Sequence, residues 1–250
     1  YGRDGLGTVI VQAGGNDRKE GDNVNYHNLI NSRFNITTGS INQEGDLSKL
    51  IQASEPFSNP GAAILVSAPG SNIKSTGNLL QNDNGSTFGS DFELTQGTSF
   101  STPIISGVVA LMLEANPNLG YRDIQKILAY SARNVNDNNT AWKYNGADTW
   151  NGGGLHYSND YGFGIVDAHT AVRLAETWDS VNAYNNEISD TAISNSLQNI
   201  VDNGSVSSSV NISSDTKLNV EYAEVTVDIE HGRIGDLVIT LVSPDGTTSI

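Results

Sequence analysis

The chain has 250 residues, 37% of them apolar, and a formal net charge of −15. That length allows one large domain or two ordinary ones, and the charge argues against nucleic acid and anionic membranes as partners. With no cysteine there is neither a disulfide framework nor a thiolate metal site. No apolar run reaches about 18 residues, so no membrane-spanning helix is expected. Tyr1-Gly2-Arg3-Asp4 does not open a signal peptide. The charge is uneven: residues 1–178 carry 11 Lys and Arg against 17 Asp and Glu, and residues 179–250 carry 2 against 11. This asymmetry supports a domain boundary near residue 178.

The run Thr8-Val9-Ile10-Val11, closed by Gly14-Gly15, predicts a buried parallel strand. Gly14-Gly15-Asn16-Asp17 reads by itself as a turn, and residues 17–31 as an acidic surface loop. Residues 34–55 predict a strand and a long connection, with a turn at 41–46 and one helical turn at 47–53. The apolar stretch 62–68, ending in Ala68-Pro69-Gly70, predicts a second buried strand. Residues 71–91 are a polar surface excursion, and residues 92–96 alternate and lead into the most informative segment.

That segment is Gly97-Thr98-Ser99-Phe100-Ser101-Thr102-Pro103 followed by Ile104-Ile105-Ser106-Gly107-Val108-Val109-Ala110-Leu111-Met112-Leu113. The apolar run is too continuous for a surface helix and predicts one buried on nearly all sides. Pro103 suits its first turn. Ser99 then sits at the helix N-terminus, where free N–H groups and the positive dipole end stabilise an oxyanion. By position alone Ser99 reads as a cap as readily as a nucleophile. Downstream, residues 121–133 predict an amphipathic helix and residues 142–154 a long loop. Residues 160–168 predict a turn and helix entry with Asp167 as N-cap. From residue 178 the character changes: residues 218–229 alternate and 238–242 follow a Gly-Asp turn, predicting antiparallel sheet. The last residues, from Pro244-Asp245-Gly246, predict a hairpin.

Gly97-Thr98-Ser99-Phe100-Ser101-Thr102-Pro103 resembles the serine motif of the subtilisin-like proteases. Leu113-Glu114-Ala115-Asn116-Pro117 and Arg122-Asp123-Ile124-Gln125 are similar to the kexin/furin-like branch. Ala13-Gly14-Gly15-Asn16, the Phe57-Ser58-Asn59 turn, Ala68-Pro69-Gly70 and the segment around Tyr161-Gly162-Phe163-Gly164 extend the likeness. Residues 179–250 resemble the P domain that follows the catalytic domain in convertases. The resemblance implies an α/β fold: the C-terminal part of a subtilisin-like parallel-sheet domain over residues 1–178, then a partial all-β, jelly-roll-like P domain over 179–250.

It implies Ser99 as nucleophile and Asn16 as the side-chain donor of the oxyanion hole. Ala13, Gly14 and Gly15 become a wall of the primary specificity pocket. His27 falls where the convertases carry a pocket aspartate that selects basic residues. Asp22 matches a ligand of a structural calcium ion beside that pocket, and Asn59 occupies another ligand position, a glutamate in the relatives.

A serine nucleophile needs a base and the base an orienting carboxylate, in the chain order Asp, His, Ser for this class. No histidine precedes Asn16. The triad Asp and His are therefore expected upstream of Tyr1, and the chain reads as a fragment of a secreted serine endopeptidase acting on proteins or peptides. The competing reading is a non-catalytic, calcium-dependent binding module that keeps the fold.

Overall fold

The computed structural model of this chain describes residues 2–50, 54–78, 80–81, 87–135, 142–146, 154–179, 184–195, 197–212 and 220–250. Its centre is a parallel three-stranded sheet, β1 (Ile10–Ala13), β2 (Asn35–Ile41) and β3 (Ile64–Pro69), in the order β1-β2-β3. Ile10 pairs with Asn35 and Ala13 with Thr38, while Gly39 pairs with Ser67 and Ile41 with Pro69. Every residue of β2 is buried. β1 begins three residues after Gly7 and lies at the sheet edge, with Ile10 43% exposed, so the expected fully buried strand is half open. An edge strand leaves one row of backbone groups unpaired.

Three helices follow, α1 (Thr98–Ala115), α2 (Tyr121–Ser131) and α3 (Ala168–Glu176). α1 packs on all three strands and on α3. Its buried residues Thr98, Ser101, Ile105, Val108, Val109 and Met112 recur at the spacing of one helical face. Of these, Ile105, Val108, Val109 and Met112 form the main core with Ile36, Val66, Leu119, Ile124, Ile127 and Leu128. The other face carries Ile104 and Leu111, 37% and 49% exposed. The helix is thus covered on one side by this chain, not on nearly all sides. α1 is also long and apolar enough to cross a membrane by length and composition, with a mean hydropathy of 1.3 over 18 residues. The simple run-length reading missed this because polar Ser and Thr interrupt the run. Here its buried face packs on the sheet and on α3. Pro103 lies six residues in, within the second turn. The N–H it lacks would have bonded the Ser99 carbonyl.

Residues 73–95 form antiparallel pairs, β4 (Ile73–Thr76) with β7 (Phe92–Thr95), and between them β5 (Leu80–Gln81) with β6 (Thr87–Phe88). The turn at 42–46 is closed by Asn42, whose Oδ1 accepts from the N–H groups of Glu44 and Asp46 at 3.0 and 2.8 Å. Among the described residues 47–50 no helical turn forms; Leu47 bridges to Ile41 and Lys49 to Pro56. Residues 51–53 of that expected turn lie outside the described residues. Of the expected loop at 142–154, residues 142–146 and 154 are described, and β8 (Lys143–Tyr144) pairs with β9 (His156–Tyr157). Asp167 caps α3 as expected, its Oδ1 accepting from the Thr170 N–H at 3.0 Å.

Beyond α3 the described residues form one short hairpin, β10 (Leu241–Val242) with β11 (Thr248–Ser249), turned at Gly246, φ +80°. The alternating residues 220–229 form no strand, and Val225 and Val227 stay exposed. Alternation marks a face that needs a partner layer, and none of the described residues supplies one here. This segment is held by charge instead. Glu221 accepts from Arg122 at 2.6 Å and pairs with Lys126 at 2.5 Å, both on α2. Glu187 accepts from the Tyr121 hydroxyl at 2.9 Å and pairs with Arg33. Burial pushes the Glu221 carboxyl up, but the hydrogen bonds and charges of Arg122 and Lys126 outweigh it and hold its pKa below the usual carboxylate value.

Two outcomes follow for the whole protein. A Cβ on Gly70 would stand 2.2 Å from Ser40 Oγ, 2.4 Å from Ser101 Oγ and 2.8 Å from Gly97 O. Gly70→Ala is therefore expected to destabilise the protein by about 1–3 kcal/mol, read from urea unfolding. A depressed carboxyl stabilises above its free pKa, and this contribution is lost as pH falls through the folded value. Hydrogen exchange of residues 220–224 is accordingly expected to quicken at acid pH in the parent protein. In Glu221→Gln it is expected to be fast already at neutral pH.

Candidate active site

Two chain segments meet at the C-terminal end of the sheet: the turn after β1 and the N-terminus of α1. Gly97 is the N-cap, at φ 137°, and Ser99 is the second helical residue. The alternative reading of Ser99 as a cap is not realised. Its side chain is exposed and has no hydrogen-bond partner among the described residues. The Gly97 N–H donates to Gly70 O at 2.8 Å, and Ser101 Oγ donates to Ala68 O at 3.0 Å. The helix end is thus bolted to the end of β3, which is why the glycine of Ala68-Pro69-Gly70 has no room for a Cβ.

Asn16 is joined to the same helix end. Its Oδ1 accepts from the Thr98 N–H at 2.9 Å and from the Thr98 hydroxyl at 3.0 Å. A backbone N–H can only donate, so the atom facing it is the amide oxygen. Among the described residues the Asn16 Nδ2 has no acceptor, and its anchor, Thr98, directly precedes Ser99 in the helix. The Thr98 hydroxyl also accepts from the Gly15 N–H at 3.2 Å. Thr98 is fully buried and locks both the Asn16 rotamer and the turn. Sequence reasoning gave it no role beyond its place in the serine motif.

Gly14 and Gly15 line this turn next to Ala13 at the end of β1. Gly15 has φ +102°, and a Cβ there would be 2.3 Å from Asn59 Nδ2. Asn59, 1% exposed, stitches the turn to the loop at 17–31. Its N–H donates to Gly15 O at 3.1 Å and its Nδ2 to Gly14 O at 3.1 Å. Its Oδ1 accepts from the Asp17 N–H at 2.8 Å. The same Nδ2 donates to Asp22 Oδ2 at 2.8 Å. His27 Nε2 lies 2.9 Å from both Asp22 oxygens. Burial pushes the Asp22 carboxyl up; hydrogen bonds from His27, the Asn23 backbone and Asn59, together with the His27 charge, outweigh it and hold it below its usual value.

The expected calcium ligands, Asp22 and Asn59, are hydrogen-bonded to each other. Calcium needs several converging oxygens. Gly14 O can only accept and the Asp17 N–H can only donate, so the orientation of the Asn59 amide is fixed. It turns an N–H, not a lone pair, toward Asp22. Among the described residues no group of three or more Asp, Glu or His comes together. Asp22 and Asn59 therefore do not fit the ion.

No histidine bonds Ser99 among the described residues. His27 faces Asp22, His156 stacks edge-on to Trp142 with ring centroids 5.1 Å apart, His169 lies on α3, and the His231 ring contacts Arg233. Among the described residues, Asn16 is therefore bonded to the helix start that carries Ser99, and no histidine is bonded to Ser99.

Comparison with known proteins decides the family. The model described as "Subtilase family" matches residues 1–164, more than half of the chain. The chain belongs to the subtilase family. A second model, "Proprotein convertase P-domain", matches residues 220–250, so the expected fold class holds: a subtilisin-like parallel-sheet part followed by P-domain sequence.

Among curated relatives, Protease KEX1 of Kluyveromyces lactis is 35% identical over 257 residues, covering 99% of this chain and 31% of the relative. Kexin of Saccharomyces cerevisiae is 32% identical over 99% of this chain and 29% of its own length. Human proprotein convertase subtilisin/kexin type 7 is 30% identical over 100% of this chain and 31% of its own length. This subtilase chain thus spans about three-tenths of these relatives. A serine protease of Aeromonas sobria shares the fold, with TM-score 0.57 and 21% identity over 71% of this chain and 38% of the other.

Thr98→Val keeps the shape of the side chain but leaves the Gly15 N–H without its acceptor. A buried group left unpaired costs about 1–3 kcal/mol, and thermal melting of the whole protein is expected to register that loss.

Proposed function

We propose that this chain supplies the nucleophile and the oxyanion hole of a serine endopeptidase that cleaves protein or peptide substrates. One observation carries the reading: the Thr98 N–H, one residue before Ser99, pins the Asn16 oxygen and leaves the Asn16 Nδ2 available as a donor. In this scheme Ser99 Oγ attacks the scissile carbonyl carbon and gives its proton to a base. The negative charge on the carbonyl oxygen is received by the Ser99 N–H at the helix N-terminus and by the Asn16 amide. The tetrahedral species collapses with loss of the amine, which takes up the proton, and water then hydrolyses the Ser99 acyl ester.

The base and its orienting carboxylate are a His and an Asp of the whole protein upstream of Tyr1, in keeping with the family's chain order. Residues 1–178 form the catalytic part and residues 179–250 the P-domain part. A secreted location completes the proposal and rests on the resemblance alone.

In the whole protein, Ser99→Ala is expected to reduce peptide hydrolysis to the level of a mock preparation. Asn16→Ala is expected to lower kcat about 100- to 1,000-fold with little change in KM. Turnover retained by Ser99→Ala would overturn the assignment of the nucleophile, and absence of any turnover in the parent protein would favour the binding-module reading.

A further inference from the structure

We infer that His27, seated on Asp22, replaces both an ion and an acid in the specificity pocket, so that the site selects substrates with an uncharged side chain, not Lys or Arg, before the scissile bond. The inference rests on the endopeptidase reading above and assigns its substrate class.

Three observations carry it. First, the Asp22–His27–Asn59 cluster is bonded to the glycine turn that precedes Asn16. The Asn59 Nδ2 that reaches Asp22 also bonds Gly14 O, and the Asn59 N–H bonds Gly15 O. Second, the acceptors of Asp22 are already engaged. A guanidinium binds a carboxylate best through both oxygens at once. Here both oxygens face His27 Nε2 at 2.9 Å, and Oδ2 also accepts from Asn59 at 2.8 Å. A cationic substrate side chain would have to share both oxygens with internal donors, which weakens a bidentate contact. Third, the Asn59 amide is fixed by two backbone groups of single polarity, the Asp17 N–H and Gly14 O. It cannot turn its oxygen toward Asp22 without setting Nδ2 against an N–H and Oδ1 against a C=O. The imidazole N–H and the amide N–H together give Asp22 the positive partners that a divalent cation would otherwise supply. The loop therefore closes without an ion.

The test uses the whole protein and a set of peptides that differ in the single residue before the cleaved bond. Peptides with Leu, Phe or Gln there are expected to be cleaved at least about 10-fold faster, by kcat/KM, than those with Arg or Lys. His27→Asp is expected to raise the Arg-to-Leu ratio by about 10- to 100-fold, the worth of a charge-assisted contact. A preference of the parent protein for Arg or Lys would overturn the inference. A second arm does not depend on turnover. Hydrogen exchange of residues 17–31 is expected to be the same in millimolar calcium and in chelator, and calcium-dependent protection of that loop would overturn the inference equally. If no peptide is cleaved, the endopeptidase reading fails while the exchange arm still decides how the cluster is held.

Discussion

The site depends on one interaction, the bond between the Thr98 N–H and Asn16 Oδ1. It joins the turn after β1 to the N-terminus of α1, 82 residues apart in sequence. Three consequences follow. It satisfies one of the orphan N–H groups of the helix start. It fixes which end of the Asn16 amide points away from the helix. It also lets the Thr98 hydroxyl bridge to the Gly15 N–H, so that Gly15, Asn16 and the start of α1 are joined in one hydrogen-bonded unit. Preorganisation of this kind makes a donor useful to a developing oxyanion, since nothing has to reorient as charge appears. The supporting bonds, Ser101 to Ala68 and Gly97 to Gly70, hold the helix end at the height of β3.

The same structure displays surfaces that the described residues do not cover. β1 is an edge strand, and the outward face of α1 carries Ile104 and Leu111. The valines of residues 220–229 alternate without a second layer. These features agree with a chain that spans about three-tenths of its curated relatives. Where apolar packing is not available, charge takes its place: Arg33, Arg122 and Lys126 collect Glu187 and Glu221. These ion pairs are half-buried, and they tether the acidic C-terminal part to Arg33 and α2.

Local patterns in the sequence were readable where the cause is local. Apolar spacing marked α2, Asp167 marked the start of α3, and the serine motif marked the start of α1 and the role proposed for Ser99. The misreadings share one physical origin, the need for a distant partner. An apolar run such as 104–113 says that a helix wants burial, not that a neighbour is there to provide it. Alternation in 220–229 likewise requires an opposing layer. Thr98 gave no signal because its meaning lies in Asn16 and Gly15. Asp22 and Asn59 are expected as ion ligands through the resemblance to the convertases. Only the backbone groups around Asn59 show that its nitrogen, not its oxygen, faces the carboxylate, and that His27 already occupies both carboxylate oxygens.

The central claim is that Ser99 is a nucleophile held beside a preformed oxyanion donor. The most direct measurement is to treat the whole protein with an organophosphonate that labels activated serines and to map the modified residue by peptide mass spectrometry. A single adduct on Ser99 is the expected result. No adduct, or an adduct on another serine, would contradict the account.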